Sequence, residues 1–322
     1  MDKYDVIIIG GACAGLSAGI YAGRRELKTL VLTKDIGGQI ATTTEVENYP
    51  GIETILGPKL AMDMKAHAEK SGSEIKMEEV KEISKNGNEY VIVSEKGEYV
   101  APVVILTFGL KQRTLNLPGE KELTGRGVAY CATCDGPLYR NKIVGVVGGG
   151  NAAFESAEYL STLAEKVYLF VRRDEYRAES VLIETVKKAK NIEIMNFTEI
   201  ESFEGEQMLQ KVKLINNKTS EKSELELNGV FIEIGWISQI NEIKGLKDLV
   251  NVDERGYVKV DNQNKTSAEG LFAAGDVTDT PFKQAVISAG EGAKAAMAAG
   301  VYIQKLKGQD SSVATPDWKK KK

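Results

Sequence analysis

Tyr4-Asp5-Val6-Ile7-Ile8-Ile9-Gly10-Gly11-Ala12-Cys13-Ala14-Gly15 is a β-branched apolar run that ends in a glycine turn. Leu16 to Tyr21 then reads as a helix, and Thr29 to Thr33 as a second strand. Strand, glycine turn, helix, strand is the dinucleotide-binding unit, in which a tight turn brings the helix N-terminus against a pyrophosphate. The fingerprint is incomplete. Ala12 stands where a second glycine would let backbone approach phosphate, and Thr33 ends its strand with no acid for a ribose hydroxyl. Taken alone, the stretch also fits an ordinary α/β turn. Its return decides the fold. Lys142 to Val147 is again a strand, Gly148-Gly149-Gly150-Asn151-Ala152-Ala153 a glycine turn, Phe154 to Leu163 a helix and Val167 to Val171 the next strand. An internal repeat of this kind predicts an α/β chain with two dinucleotide-binding domains and hence two nucleotides.

The two repeats end differently. The second closes on Arg172-Arg173, with Arg177 four residues on. Guanidinium groups at that strand end suit a 2′-phosphate, where an NAD site favours a carboxylate; the alternative is three solvated arginines. Before the second repeat lies Tyr130-Cys131-Ala132-Thr133-Cys134-Asp135, which holds two of the three cysteines. Thiols at that spacing can bind a metal, cycle between dithiol and disulfide, or share a buried strand by coincidence. A four-ligand zinc site needs two further ligands, and the chain offers only Cys13 and the single histidine, His67. Redox chemistry is therefore the preferred reading, with no metal, and Asp135 is placed to move the proton that thiol–disulfide exchange requires.

The remaining chain frames these pieces. Lys34 to Gly51 is a long polar connection of the sort that touches a ligand. Lys59 to Ser71 reads as an amphipathic helix with His67 exposed, Glu78 to Val100 as strands around Asn86-Gly87-Asn88, and Val103 to Leu106 as a fully buried strand. Asn116-Leu117-Pro118-Gly119 punctuates the chain, and near Lys244-Gly245 it recrosses to the first domain. This gives one domain of residues 1–115 and 245–322, with residues 116–244 inserted into it. Gly270 to Asp276 is a short buried strand that delivers a carboxylate suited to a polyol hydroxyl, with an Ala- and Gly-rich helix after it from Lys283 to Lys305.

Composition excludes several classes. With 42% hydrophobic and 27% charged residues, the chain is an ordinary globular protein, and a net charge of −4 leaves no nucleic-acid footprint. The lysines Lys319 to Lys322 read as a solvated tail. Val6 to Ala22 carries no charge, but its glycines and polar residues fit a buried strand, turn and helix better than a membrane span. Three cysteines make no disulfide framework, so a reducing cytoplasm is expected.

With these pieces placed, the chain resembles low-molecular-weight thioredoxin reductases over about residues 4–305. The matches are Gly37-Gly38-Gln39, Thr43-Thr44-Glu45-Val46-Glu47-Asn48, Cys131-Ala132-Thr133-Cys134-Asp135-Gly136, Arg172-Arg173-Asp174, Arg177-Ala178 and Phe272-Ala273-Ala274-Gly275-Asp276-Val277. The resemblance implies two Rossmann-like domains: FAD in the one formed by both chain ends, NADPH and the redox disulfide in the other. It places Gly10, Gly15, Thr33, Gly38, Gln39, Asn48, Asp276, Gln284 and Ala285 at FAD, and Gly148, Gly150, Arg172, Arg173 and Arg177 at NADPH. It makes Cys134 the thiol facing the flavin, Cys131 the thiol that attacks thioredoxin or a thioredoxin-like protein, and Asp135 the proton donor. A homodimer is implied as well. There are four departures, most of which touch cofactor packing and none the redox pair: Ala12, Val171 for a histidine, Thr107-Phe108-Gly109 for Ala-Thr-Gly, and Gly235-Trp236-Ile237-Ser238 without a proline. The rival functions are a small-dithiol oxidase using O₂ and a non-catalytic nucleotide-binding redox sensor.

Overall fold

Runs of β-branched residues with no polar face must be covered on both sides, so they make central strands of parallel sheets. The computed structural model describes residues 2–43 and 45–308; Thr44 and the lysines Lys319 to Lys322 lie outside them. Contacts divide the chain into two compact units. The first takes the chain up to Ala41, Tyr49–Lys111 and the chain from Ile237 onward, and the second takes Thr42–Asn48 and Gln112–Trp236.

The first unit is built on a five-stranded parallel sheet in the order Leu271–Ala273, Val103–Leu106, Val6–Gly11, Thr29–Ile36, Ser73–Met77. Alternate side chains on its central strands enter different cores, as the period of two requires. Ile7, Ile9, Val104 and Leu106 join one cluster with Tyr90 and Ile92. Val6, Ile8, Val103 and Ile105 join another with Ala295 and Ala299. The helix Cys13–Arg24 comes directly after the central strand, and the 22-residue helix Ala285–Leu306 packs on it through small residues. A Cβ added to Gly292 would lie 2.0 Å from the carbonyl oxygen of Ala14, so only glycine permits that approach. A second sheet, Asp2–Lys3, Glu98–Ala101, Glu89–Ser94 and Val80–Asn86, contains the expected hairpin at Asn86-Gly87. The helix Gly57–Lys70 carries His67 on its exposed side.

The second unit repeats the sheet: Val128–Ala129, Gly229–Ile232, Ile143–Val147, Lys166–Val171, Ile192–Asn196, all parallel. Val144 and Val146 pack toward the helix Asn151–Ser161, and Ile143 and Val147 toward a three-stranded antiparallel sheet of Thr198–Glu204, Lys211–Asn216 and Lys222–Glu226. Both units are thus Rossmann-like. They differ in how the outermost strand is supplied. In the second unit it precedes the central strand in sequence, whereas in the first it arrives more than a hundred residues after its neighbour. Among the described residues no helix is long and apolar enough to cross a membrane.

Candidate active site

Cys131 and Cys134 form a disulfide, with Cα atoms 5.3 Å apart. They come after the strand Val128–Ala129, at the carboxyl edge of the second unit's sheet, where open α/β sheets bind ligands. Cys131 caps a one-turn helix, Ala132–Asp135, that carries Cys134. A helical turn rather than a strand turns both sulfurs to one side, so coincidence of spacing in a strand is ruled out. The Cys131 sulfur and the Thr133 hydroxyl lie 3.3 Å apart. Asp135, half-buried at the end of that turn, has its carboxyl pushed up to about 6 by burial. The strand leading to the cysteines is anchored by Glu120, which is 3% exposed. Its carboxylate accepts from the Tyr130 hydroxyl at 2.8 Å and from the N–H groups of Leu115 and Leu117.

The second glycine turn lies in the same unit. Gly148 has φ +149, and a Cβ there would lie 2.4 Å from the Glu233 carbonyl oxygen. A Cβ on Gly150 would meet nothing within 4 Å, so space lies open in front of the helix Asn151–Ser161, which has no side-chain cap. Arg177 N–H donates to the Gly149 carbonyl at 2.7 Å and draws the segment after the strand Lys166–Val171 across the turn. Arg172, Arg173 and Arg177 are exposed, and among the described residues none is paired with a carboxylate.

In the first unit, the glycine turn is closed by its own backbone: Gly10 has φ +115, and a Cβ on Gly15 would lie 1.8 Å from the Gly10 carbonyl oxygen. The Thr33 hydroxyl accepts from Gly11 N–H at 2.9 Å and so ties the second strand to the turn. Gly38, whose N–H donates to Asp35 at 3.0 Å, sits beside the Ala12 methyl, which is 3.3 Å from where a Cβ would stand. Gln39 donates to the Leu110 carbonyl. From the other end of the chain, Gly275 abuts Ala14, and Asp276 is close enough to Cys13 that burial first, and the Asp276 charge second, push that thiol up to about 12. Asp276 is itself raised by burial and accepts from the Ser288 hydroxyl at 3.0 Å. Ser288 lies in the first turn of the helix that opens Gln284-Ala285.

The fold therefore gathers Gly10, Gly15, Thr33, Gly38, Asp276, Gln284 and Ala285 at one sheet edge, with Gln39 on the adjoining turn. Asn48 lies in the segment Thr42–Asn48, which groups with the second unit. Gly148, Gly150 and the three arginines form a second cluster, and Cys131, Cys134 and Asp135 a third. Sequence reasoning missed the residues that hold these clusters: Glu120, Glu233, Ser288, and Glu291, which accepts from Gly275 N–H at 2.8 Å. Glu233 carried a readable signal, an acid inside the apolar run Gly229-Val230-Phe231-Ile232-Glu233-Ile234.

Both nucleotide clusters fit the groups expected of them. Each offers an uncapped helix N-terminus at the carboxyl edge of a parallel sheet. Asp276, with one donor on one oxygen, can accept further hydroxyls, and unpaired arginines suit a phosphate.

The pyridine nucleotide-disulphide oxidoreductase family matches residues 4–299. Thioredoxin reductase of Bacillus subtilis is 40% identical over 306 residues, which is 94% of this chain and 96% of that protein. Thioredoxin reductase of Treponema pallidum is 43% identical over 305 residues, 94% of this chain and 98% of that protein. Among solved structures, thioredoxin reductase from Streptococcus pyogenes superposes with a TM-score of 0.89 at 35% identity, covering 94% of this chain and 99% of that one.

Proposed function

Because this chain belongs to the pyridine nucleotide-disulphide oxidoreductase family, we propose that it is a thioredoxin-disulfide reductase using NADPH and FAD. The observation that carries the reading is the Cys131–Cys134 disulfide on a single helical turn beside a half-buried carboxyl. When bound, NADPH and FAD supply the electron pair that no side chain can deliver. Every other task falls to the chain. Gly10, Gly15, Thr33, Gly38, Gln39, Asp276, Gln284 and Ala285 hold FAD, and Asn48 contributes to the same cofactor from its own segment. Gly148 and Gly150 admit the NADPH pyrophosphate, and Arg172, Arg173 and Arg177 take its 2′-phosphate.

In the reduced pair, the Cys131 thiolate attacks one sulfur of the partner's disulfide. A mixed disulfide forms, and the partner's other sulfur leaves as a thiolate. Cys134 then attacks Cys131, closes the intramolecular disulfide and releases the partner with two electrons gained. Asp135 supplies a proton to the sulfur that leaves. Burial keeps a useful fraction of that carboxyl in the acid form near neutral pH, where an exposed aspartate would be wholly ionised. The same reading makes the enzyme a cytoplasmic homodimer.

The test is NADPH oxidation by the purified holoenzyme with thioredoxin as acceptor, run beside oxygen uptake with a small dithiol. Turnover with thioredoxin is expected. Oxygen uptake without it would identify a dithiol oxidase, and neither activity in a yellow, flavin-loaded protein would identify a sensor.

A further inference from the structure

The parallel strand Gly229–Ile232 is followed directly by Glu233, whose N–H donates to the Val147 carbonyl at 2.8 Å. That bond fixes the backbone at the carboxyl edge of the sheet and aims the side chain between two elements. One is the helix Asn151–Ser161, where the Ser156 hydroxyl donates to Glu233 Oε1 at 2.9 Å. The other is the redox turn itself, where the backbone N–H of Ala132 lies against the same carboxylate. Ala132 is the residue between Cys131 and the rest of the turn and is 3% exposed. Resting on the function proposed above, we infer that Glu233 is a positioning residue of the disulfide, one that holds the redox turn by Ala132 and takes up a proton when the pair is reduced.

The electrostatics point the same way. Burial, and then the like charge of Glu155 on the helix, push the Glu233 carboxyl up to about 7, against the pull of Ser156 and Ala132. The other acid on the redox turn is Asp135, and the titratable group of the next segment is Tyr139, itself raised by burial and by Asp135. These neighbours are all acids, so a thiolate formed beside Ala132 adds one more negative charge to the cluster and favours the protonated form of Glu233. In exchange with dithiothreitol the protein S–S bond breaks, two electrons pass to its sulfurs, and the reagent closes to its own disulfide. Of the two protons released, one goes to a protein sulfur. The other goes to Glu233 while the second sulfur remains a thiolate.

The experiment equilibrates the holoenzyme with dithiothreitol redox buffers between pH 6 and pH 8.5, quenches with acid, and measures alkylation of the peptide bearing Cys131 and Cys134. At pH 8.5 the Glu233→Gln variant should hold the dithiol about tenfold more readily than wild type, about 30 mV for a two-electron couple. At pH 6, where the wild-type carboxyl is also neutral, the two should coincide. Ser156→Ala keeps the carboxyl but removes a donor to its ionised form, so it should move the crossover to higher pH. It also carries the test if Glu233→Gln does not fold. A Glu233→Gln ratio that is flat with pH, or a crossover unmoved in Ser156→Ala, overturns the inference. Failure to turn over thioredoxin, with these equilibria as expected, would overturn the proposed function and leave Glu233 in its role.

Discussion

Replacing Asp135 by asparagine keeps the size and hydrogen-bonding shape of the side chain and removes its proton. Burial raises the carboxyl from 3.8 to about 6, so ionising it in place costs about 3 kcal/mol more than in water. The acid form is then about half of the enzyme at pH 6, about a tenth at pH 7 and about a hundredth at pH 8. A step that needs this proton should slow about fiftyfold in wild type from pH 6 to pH 8. The asparagine variant should be slower than wild type by roughly 10²–10⁴ at pH 6, with the gap narrowing as pH rises. The assay is single turnover of the pre-reduced enzyme with oxidised thioredoxin, with the ratio of wild-type to variant rates measured against pH. The ratio removes the effect of pH on the thiols themselves. Stability gives an independent check. A carboxyl raised in the fold contributes stability below its unfolded value, near pH 4, and that stability is lost as pH rises through about 6. The asparagine variant should lack that loss on denaturant unfolding. A rate ratio that does not change with pH would refute the role of Asp135 as acid.

The cofactor clusters and the helix contact lead to three further outcomes. Gly38→Ala should weaken flavin retention on dilution by about tenfold or more, because its methyl would press on Ala12 at 3.3 Å with φ +53; adding Ala12→Gly should recover part of the loss. Changing Arg172 and Arg173 together to alanine should cut the kcat/KM preference for NADPH over NADH about a hundredfold, since each hydrogen bond to a charged phosphate contributes roughly 1.5 kcal/mol or more; an unchanged preference would mean that these arginines are only solvated. Gly292→Ala should lower Tm by roughly 2–8 °C, as a methyl 2.0 Å from the Ala14 carbonyl oxygen forces two helices apart at a cost of about 1–3 kcal/mol.

The fold was legible wherever one local signal carried it. Val6 to Ile9 and Val103 to Leu106 read as buried strands because they have no polar face, and the structure covers both of their sides. The glycine turns read correctly because close approach excludes every other residue at Gly15 and Gly148. Asp276 was legible as an acid after a buried strand, although the strand proper closes at Ala273. The supporting residues were not. Glu120 serves three donors that lie up to ten residues away, and Ser288 meets Asp276 across a helix start. Such partners are chosen by tertiary placement, to which periodicity is blind. Glu233 lies between these cases: its presence in an apolar run could be seen, but its address beside Ala132 required the sheet to be assembled.

The late outer strand of the first unit bears on how the chain is made. Val103–Leu106 leaves the ribosome with one edge unpaired, and its neighbour Leu271–Ala273 emerges only after roughly 160 further residues, some 10–30 s at ordinary elongation rates. The helix Ala285–Leu306, which covers one face of that sheet, comes later still. During that interval Gln112–Trp236 emerges with every strand of its own sheet in hand. The inserted unit should therefore fold first, while the open edge beside Val103–Leu106 waits as a strand-pairing hazard. Nascent chains stalled near residue 275, with Gly229–Ile232 clear of the ribosome and Leu271–Ala273 still inside it, should accordingly show a protease-resistant core from the insert alone.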